Sequence, residues 1–227
     1  MNSPAEPAFL RAAYAIEDHA AAVAGLHAAL DAAFDACTTP ADPSQCPAFA
    51  RGMRGALAVA LAEPAIILAG QREGSSERYR RHVIAADPAG RYTVAALVWQ
   101  PGQASPIHAH HTWCGFTVLE GTLTETLYSW EATRGGANAV RDHLRAPGTV
   151  SFVGSGCRSG SGHGGIHRLS NDSHAKAVSL HVYGVDAERI ATHVNDVLPL
   201  ATPAPCAVRE VNGDARAHDV SPRIARA

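Results

Sequence analysis

The chain has 227 residues, 46% of them hydrophobic, with a formal net charge of -2 and a pI near 6.7. That size and apolar content suit one domain with a sizeable core, and dispersed Arg and Lys residues offer no basic face for phosphates, which sets nucleic acid aside as a partner. The most apolar run, Gly55–Gly70, is broken by Glu63 and Pro64, short of the roughly 20 apolar residues of a membrane span. With no basic start followed by an apolar block, the expectation is a soluble, cytoplasmic protein with no membrane contact and no obligate protein partner.

Residues 1–70 read as a helical N-terminal layer. Ile16, Ala20, Val23, Leu26, Leu30 and Phe34 recur at helical spacing, the turn-rich TTPADPSQCP interrupts them, and FARGMRGALAVALAE resumes the pattern. From 71 to 185 the period falls to two: RYTVAALVWQ, WCGFTVLE, TLTETLYSW, GTVSFVG and KAVSLHVYG are short runs punctuated by Gly, Pro and Asn. Such runs predict an antiparallel sandwich or small barrel. In 186–227, DAERIATHVNDVLP predicts a helix opened by Asp186 and stopped by Pro199, followed by a loose tail. The three zones together are expected to form one structural domain. An odd number of cysteines at irregular spacing gives no disulfide framework, and Cys37, Cys46, Cys157 and Cys206 read as small apolar or loop residues.

The β zone contains SPIHAHHTWCGFTVLEG, in which His108 and His110 are two apart and share one face of a strand. Two imidazoles on a barrel's inner face can share a metal ion. In SLHVY, Ser179, His181 and Tyr183 likewise share a face and leave Leu180 and Val182 for the other, so a hydroxyl, an imidazole and a phenol can form a hydrogen-bonded ladder. Tyr79 and Arg81, also two apart, open the zone.

Gly102, five residues, His108, one residue, His110, three residues, Cys114, six residues and Gly121 resemble the first metal motif of the cupin superfamily, with Cys114 where a glutamate ligand normally sits. GHGGIHRLSN, with His167 three residues before Asn171, resembles the second. The resemblance implies a mainly β fold, a cupin-type double-stranded β-helix (jelly-roll barrel), and a third imidazole, His167, reaching the metal from the opposite side of the barrel. His111 and His163 are the alternative ligands, but adjacent His111 should face away if the strand is regular, and His163 lies in a glycine stretch.

Taken together, IHAHHTWCGFTVLEGTLTETLYSW and HRLSNDSHAKAVSLHVYG resemble the cysteine dioxygenase family of thiol dioxygenases from about Tyr79 to Tyr183. The His110–Cys114 loop is one residue shorter than in the mammalian members, and the glycine-rich insert before His167 is longer. The resemblance implies one Fe(2+) per chain on His108, His110 and His167, with Ser179, His181 and Tyr183 as catalytic residues. It also implies that Tyr79 and Arg81 sit at the substrate carboxylate and that Cys114 and Tyr183 can be joined by a thioether. The reaction it implies adds both atoms of O2 to the sulfur of a small thiol carboxylate, since thiolate to sulfinate yields the four electrons that dioxygen needs. L-Cysteine leads as substrate, with 3-mercaptopropionate and mercaptosuccinate as alternatives. A cupin-type metal-dependent isomerase or hydrolase and a non-catalytic small-ligand sensor remain as other readings.

Overall fold

The alternation along the strands sorts side chains between two interiors. The computed structural model describes residues 8–155 and 165–202; Cys157, His163, Cys206 and the C-terminal tail lie outside them. Two helices, α1 (Ala8–Asp35) and α2 (Pro47–Ala62), precede ten strands. These are β1 (Arg80–Ala86), β2 (Thr93–Trp99), β3 (His108–His110), β4 (Cys114–Glu120), β5 (Leu123–Glu131), β6 (Gly136–Arg145), β7 (Val150–Val153), β8 (Ile166–Ser170), β9 (Ala177–Tyr183) and β10 (Asn195–Val197). They form two five-stranded antiparallel sheets, ordered β1-β2-β9-β4-β7 and β10-β3-β8-β5-β6. This is the expected jelly-roll architecture of a cupin with an N-terminal helical layer.

The helices cover the outer face of the first sheet, so its central strands β2, β9 and most of β4 are buried on both faces, while the edge strands β1 and β7 are only partly covered. On β2, Val94, Ala96 and Val98 join Val178, Leu180 and Val182 of β9 against Leu26, Leu30, Phe49, Met53 and Leu57 of the helices. Their alternates Ala95, Leu97 and Trp99 turn into the barrel with Phe116, Val118 and Leu169. Trp113 and Cys114 part the same way. Trp113 packs edge-on against Phe49 at 5.1 Å, while Cys114 faces the barrel interior. Gly115 allows this close layering, because a Cβ there would come within 2.9 Å of Leu57 Cδ1. Gly121 ends the motif in the left-handed region, φ +70°, where a side chain is strained.

Arg91 ties the layers at the surface. Its Nε donates to Asp87 Oδ2 at 2.7 Å, and its Nη2 reaches Asp31 on α1. Of the expected helical stripe, Ile16 and Ala20 are exposed and Ala22 is buried instead. The first turns of α1 have no sheet beneath them in the described residues.

The predicted helix after Asp186 does not form. Asp186 does cap, its Oδ1 accepting from Glu188 N at 2.8 Å, but only a short 3-10 turn, Ala187–Arg189, follows. The chain then extends into β10, which pairs with β3. The cap forms as the sequence implies, but the turn that it opens ends after three residues. His111 N donates to Val194 O at 3.0 Å and Leu198 N to Ile107 O at 2.9 Å, bonds along the edge of β3 that outweigh helical propensity.

Candidate metal centre

β3 is only three residues long, yet it carries two imidazoles into the barrel and turns buried Ala109 the other way. His111 is exposed, as expected. The third imidazole comes from β8, where His167 is the cross-strand partner of His108. That corrects the expectation of a ligand from the opposite side of the barrel. Neighbouring strands lie about 4.8 Å apart, and paired side chains meet directly. His108, His110 and His167 are all buried, and one nitrogen from each lies within 4.8 Å of the others. His110 Nε2 and His167 Nε2 are 3.0 Å apart.

Two of the rings are held by their outward nitrogens. His108 Nδ1 lies 2.9 Å from Pro106 O, which can only accept, so Nδ1 carries the proton and Nε2 a lone pair. His167 Nδ1 donates to Glu125 Oε1 at 2.7 Å. Glu125 Oε2 in turn accepts from Arg145 Nε at 2.7 Å and from its Nη2. Burial alone would raise the Glu125 carboxyl, but the His167 bond and the Arg145 guanidinium hold it below its ordinary value. Sequence reasoning missed Glu125. The available signal was a carboxylate on β5 in the alternate series that begins with buried Leu123, the face expected to be apolar.

Burial, reinforced by the neighbouring imidazoles, pushes His108 down to about 3 and His110 well below its ordinary value. Buried imidazoles held neutral are the form a metal requires. Three convergent imidazole nitrogens without a carboxylate, two of them oriented from behind, fit a divalent transition ion.

Around this cluster the cavity, about 20 Å³, is also lined by Tyr79, Arg81, Trp99, Cys114, His181 and Tyr183. Tyr79 stacks on Trp99, centroids 4.4 Å apart. Arg81 Nη1 donates to Ile190 O at 3.1 Å, and its guanidinium lies 5.6 Å from the Tyr183 ring centroid. The expected ladder is hydrogen-bonded only in part. Trp99 Nε1 donates to Ser179 Oγ at 3.0 Å, and Ser179 Oγ meets His181 Nε2 at 2.9 Å. Tyr183 instead stacks on His181, centroids 5.5 Å apart. Burial drives His181 well down, and burial with the nearby Cys114 drives the Tyr183 phenol well up. Cys114 stands directly opposite Tyr183 on the adjacent strand, and burial pushes its thiol up.

The described residues contain three buried side-chain polar atoms without a partner: Arg81 Nε, His110 Nδ1 and Asn195 Oδ1. All three belong to residues that line this cavity, so its unmet hydrogen-bonding capacity is concentrated where a ligand would sit.

Residues 74–193 match the family model for cysteine dioxygenase type I. The chain belongs to this family. It is 31% identical over 108 residues to the cysteine dioxygenase type 1 of Danio rerio, across 47% of this chain and 51% of that protein. It is 28% identical over 109 residues to the Homo sapiens protein of that name, across 47% of this chain and 50% of that protein. The chain thus spans about half the length of the curated relatives it matches. A solved Thermus thermophilus protein is 20% identical with a TM-score of 0.39, over 52% of this chain and 96% of its own. A Klebsiella pneumoniae double-stranded β-helix protein is 14% identical with a TM-score of 0.40, over 59% and 96%. The family span takes in the barrel from β1 to β9 and stops two residues before Asn195. Among the described residues no helix is long and apolar enough to cross a membrane.

Proposed function

We propose that the chain is a non-haem iron(II) thiol dioxygenase that converts a small thiol carboxylate to its sulfinate, RS⁻ + O2 → RSO2⁻, with L-cysteine as the lead substrate. The observation that carries this reading is the joining, in one cavity, of three buried imidazoles with the guanidinium of Arg81. His108, His110 and His167 would hold one Fe(2+) through Nε2. When bound there, iron supplies a cation for the thiolate and the redox chemistry that dioxygen needs, with no cosubstrate, because sulfur provides all four electrons.

The chain's own groups bind and orient. Arg81 is anchored by Ile190 O through Nη1 and leaves Nε without a partner, so its free edge suits a carboxylate. Tyr79, stacked on Trp99, closes the cavity beside it. The Tyr183 phenol, kept protonated by burial, is a hydrogen-bond donor towards oxygen near the sulfur. His181 fixes the plane of that ring by stacking and is itself positioned by Ser179 and Trp99. Leu97, Trp99 and Leu169 supply the apolar part of the lining, and the low local dielectric of a buried site strengthens each of these contacts.

The direct Cys114–Tyr183 register supports a slow side reaction. The S–H and one ring C–H are replaced by a C–S bond, and the two hydrogens leave with their electrons to dioxygen. The resulting thioether would lock the phenol in place.

The test is metal analysis of the purified protein together with oxygen uptake and sulfinate formation for L-cysteine, 3-mercaptopropionate and mercaptosuccinate. Iron with stoichiometric oxygen uptake on one of these thiols is expected. Zinc or manganese with no uptake on any thiol would overturn the proposal in favour of a cupin isomerase or a ligand sensor.

A further inference from the structure

His108 and His167 each have an acceptor behind the ring, Pro106 O and Glu125 Oε1; His110 Nδ1 has none. Asn195 is the cross-strand partner of His110 on β10 and lines the same cavity. Paired residues on one face of antiparallel strands have Cβ atoms about 4.5–5.5 Å apart. The two polar atoms left unsatisfied there, His110 Nδ1 and Asn195 Oδ1, therefore belong to neighbouring side chains.

A histidine bound to a metal through Nε2 carries its proton on Nδ1, and a buried N–H needs an acceptor. For His110 that acceptor is missing, and Asn195 Oδ1, on the paired residue of the same cavity, is the buried acceptor without a donor.

We propose that Asn195 is a positioning residue for the metal centre, its Oδ1 accepting the Nδ1–H of His110 once that ring's Nε2 is bound to metal. This rests on the three-histidine metal reading. It supplies the one outer contact missing behind the imidazoles, and it comes from just outside the span shared with the family. The backbone bonds from His111 N to Val194 O and from Leu198 N to Ile107 O hold β10 independently of the Asn195 side chain.

The test uses full-length protein loaded with Co(II), whose paramagnetism moves the exchangeable Nδ1–H protons of ligating imidazoles out of the protein's ordinary proton spectrum. The wild type is expected to show three such signals in slow exchange with water. Asn195→Leu, of similar volume, should lose one of the three to rapid exchange and weaken Co(II) binding about 10- to 100-fold in competition with a chelator. Asn195→Asp restores the acceptor and should recover both the third signal and the affinity. Three slow signals and unchanged affinity in a folded Asn195→Leu protein would overturn the role of Asn195 alone. Loss of signal and affinity in both variants would also overturn it, by pointing to general damage at the strand. A wild type that takes up Co(II) without shifted imidazole protons would overturn the three-histidine reading, and this inference with it.

Discussion

Glutamine at position 125 keeps the shape of the side chain and removes its charge. Glu125 accepts one bond from His167 Nδ1 and two from Arg145, and its side chain is 3% exposed against 22% for Arg145. Whichever way the Glu125→Gln amide turns, its NH2 group faces either the His167 N–H or the guanidinium, so at least one donor loses its acceptor and Arg145 loses its counter-charge. A hydrogen bond to a charged group is worth about 1.5–3 kcal/mol, and breaking a fully buried ion pair costs about 3–5. The partial exposure of Arg145 keeps the expected loss near the lower range, about 2–3 kcal/mol. Urea denaturation at neutral pH measures it, and chelator competition should show metal binding weakened about 10- to 100-fold as His167 loses its orientation. The Glu125 carboxyl is held below its ordinary value in the folded protein. Its contribution is therefore fully present above the unfolded carboxyl pKa of about 4.3 and lost as pH falls through the depressed folded value. The stability gap between wild type and Glu125→Gln should narrow below about pH 4.3. Equal stability and equal metal affinity for the two proteins at neutral pH would refute the reasoning.

His167→Ala should empty the metal site, as metal analysis by mass spectrometry would report; full metal content would remove His167 from the ligand set. Arg81→Ala should cost on the order of 2–4 kcal/mol in kcat/KM for L-cysteine and little for cysteamine, which lacks a carboxylate. Equal losses on both thiols would mean that Arg81 supports the fold or the metal instead. Cys114→Ser should remain active at a reduced level while Tyr183→Phe falls further, since it removes the phenolic hydroxyl. Peptide mass spectrometry of wild-type protein after turnover should find a two-hydrogen loss mapped to Cys114 and Tyr183, and two unmodified peptides after prolonged turnover would count against the thioether.

Strand alternation is a local property of the chain, and it made side-chain facing legible from sequence. His108 and His110 point inward with Ala109 outward; Ser179, His181 and Tyr183 line the barrel while Leu180 and Val182 meet the helices. Which strands lie side by side is decided by pairings between distant segments, and no local period records it. Only the tertiary structure set His167 beside His108, Cys114 beside Tyr183 and Asn195 beside His110. It also drew the segment after Asp186 out of a helix and into β10, and it placed the Glu125 carboxylate behind His167. The sequence by itself determined the face on which each functional group stands. The register of one strand against another determined its partner, because hydrogen bonds along a strand edge form only after the sheet has assembled.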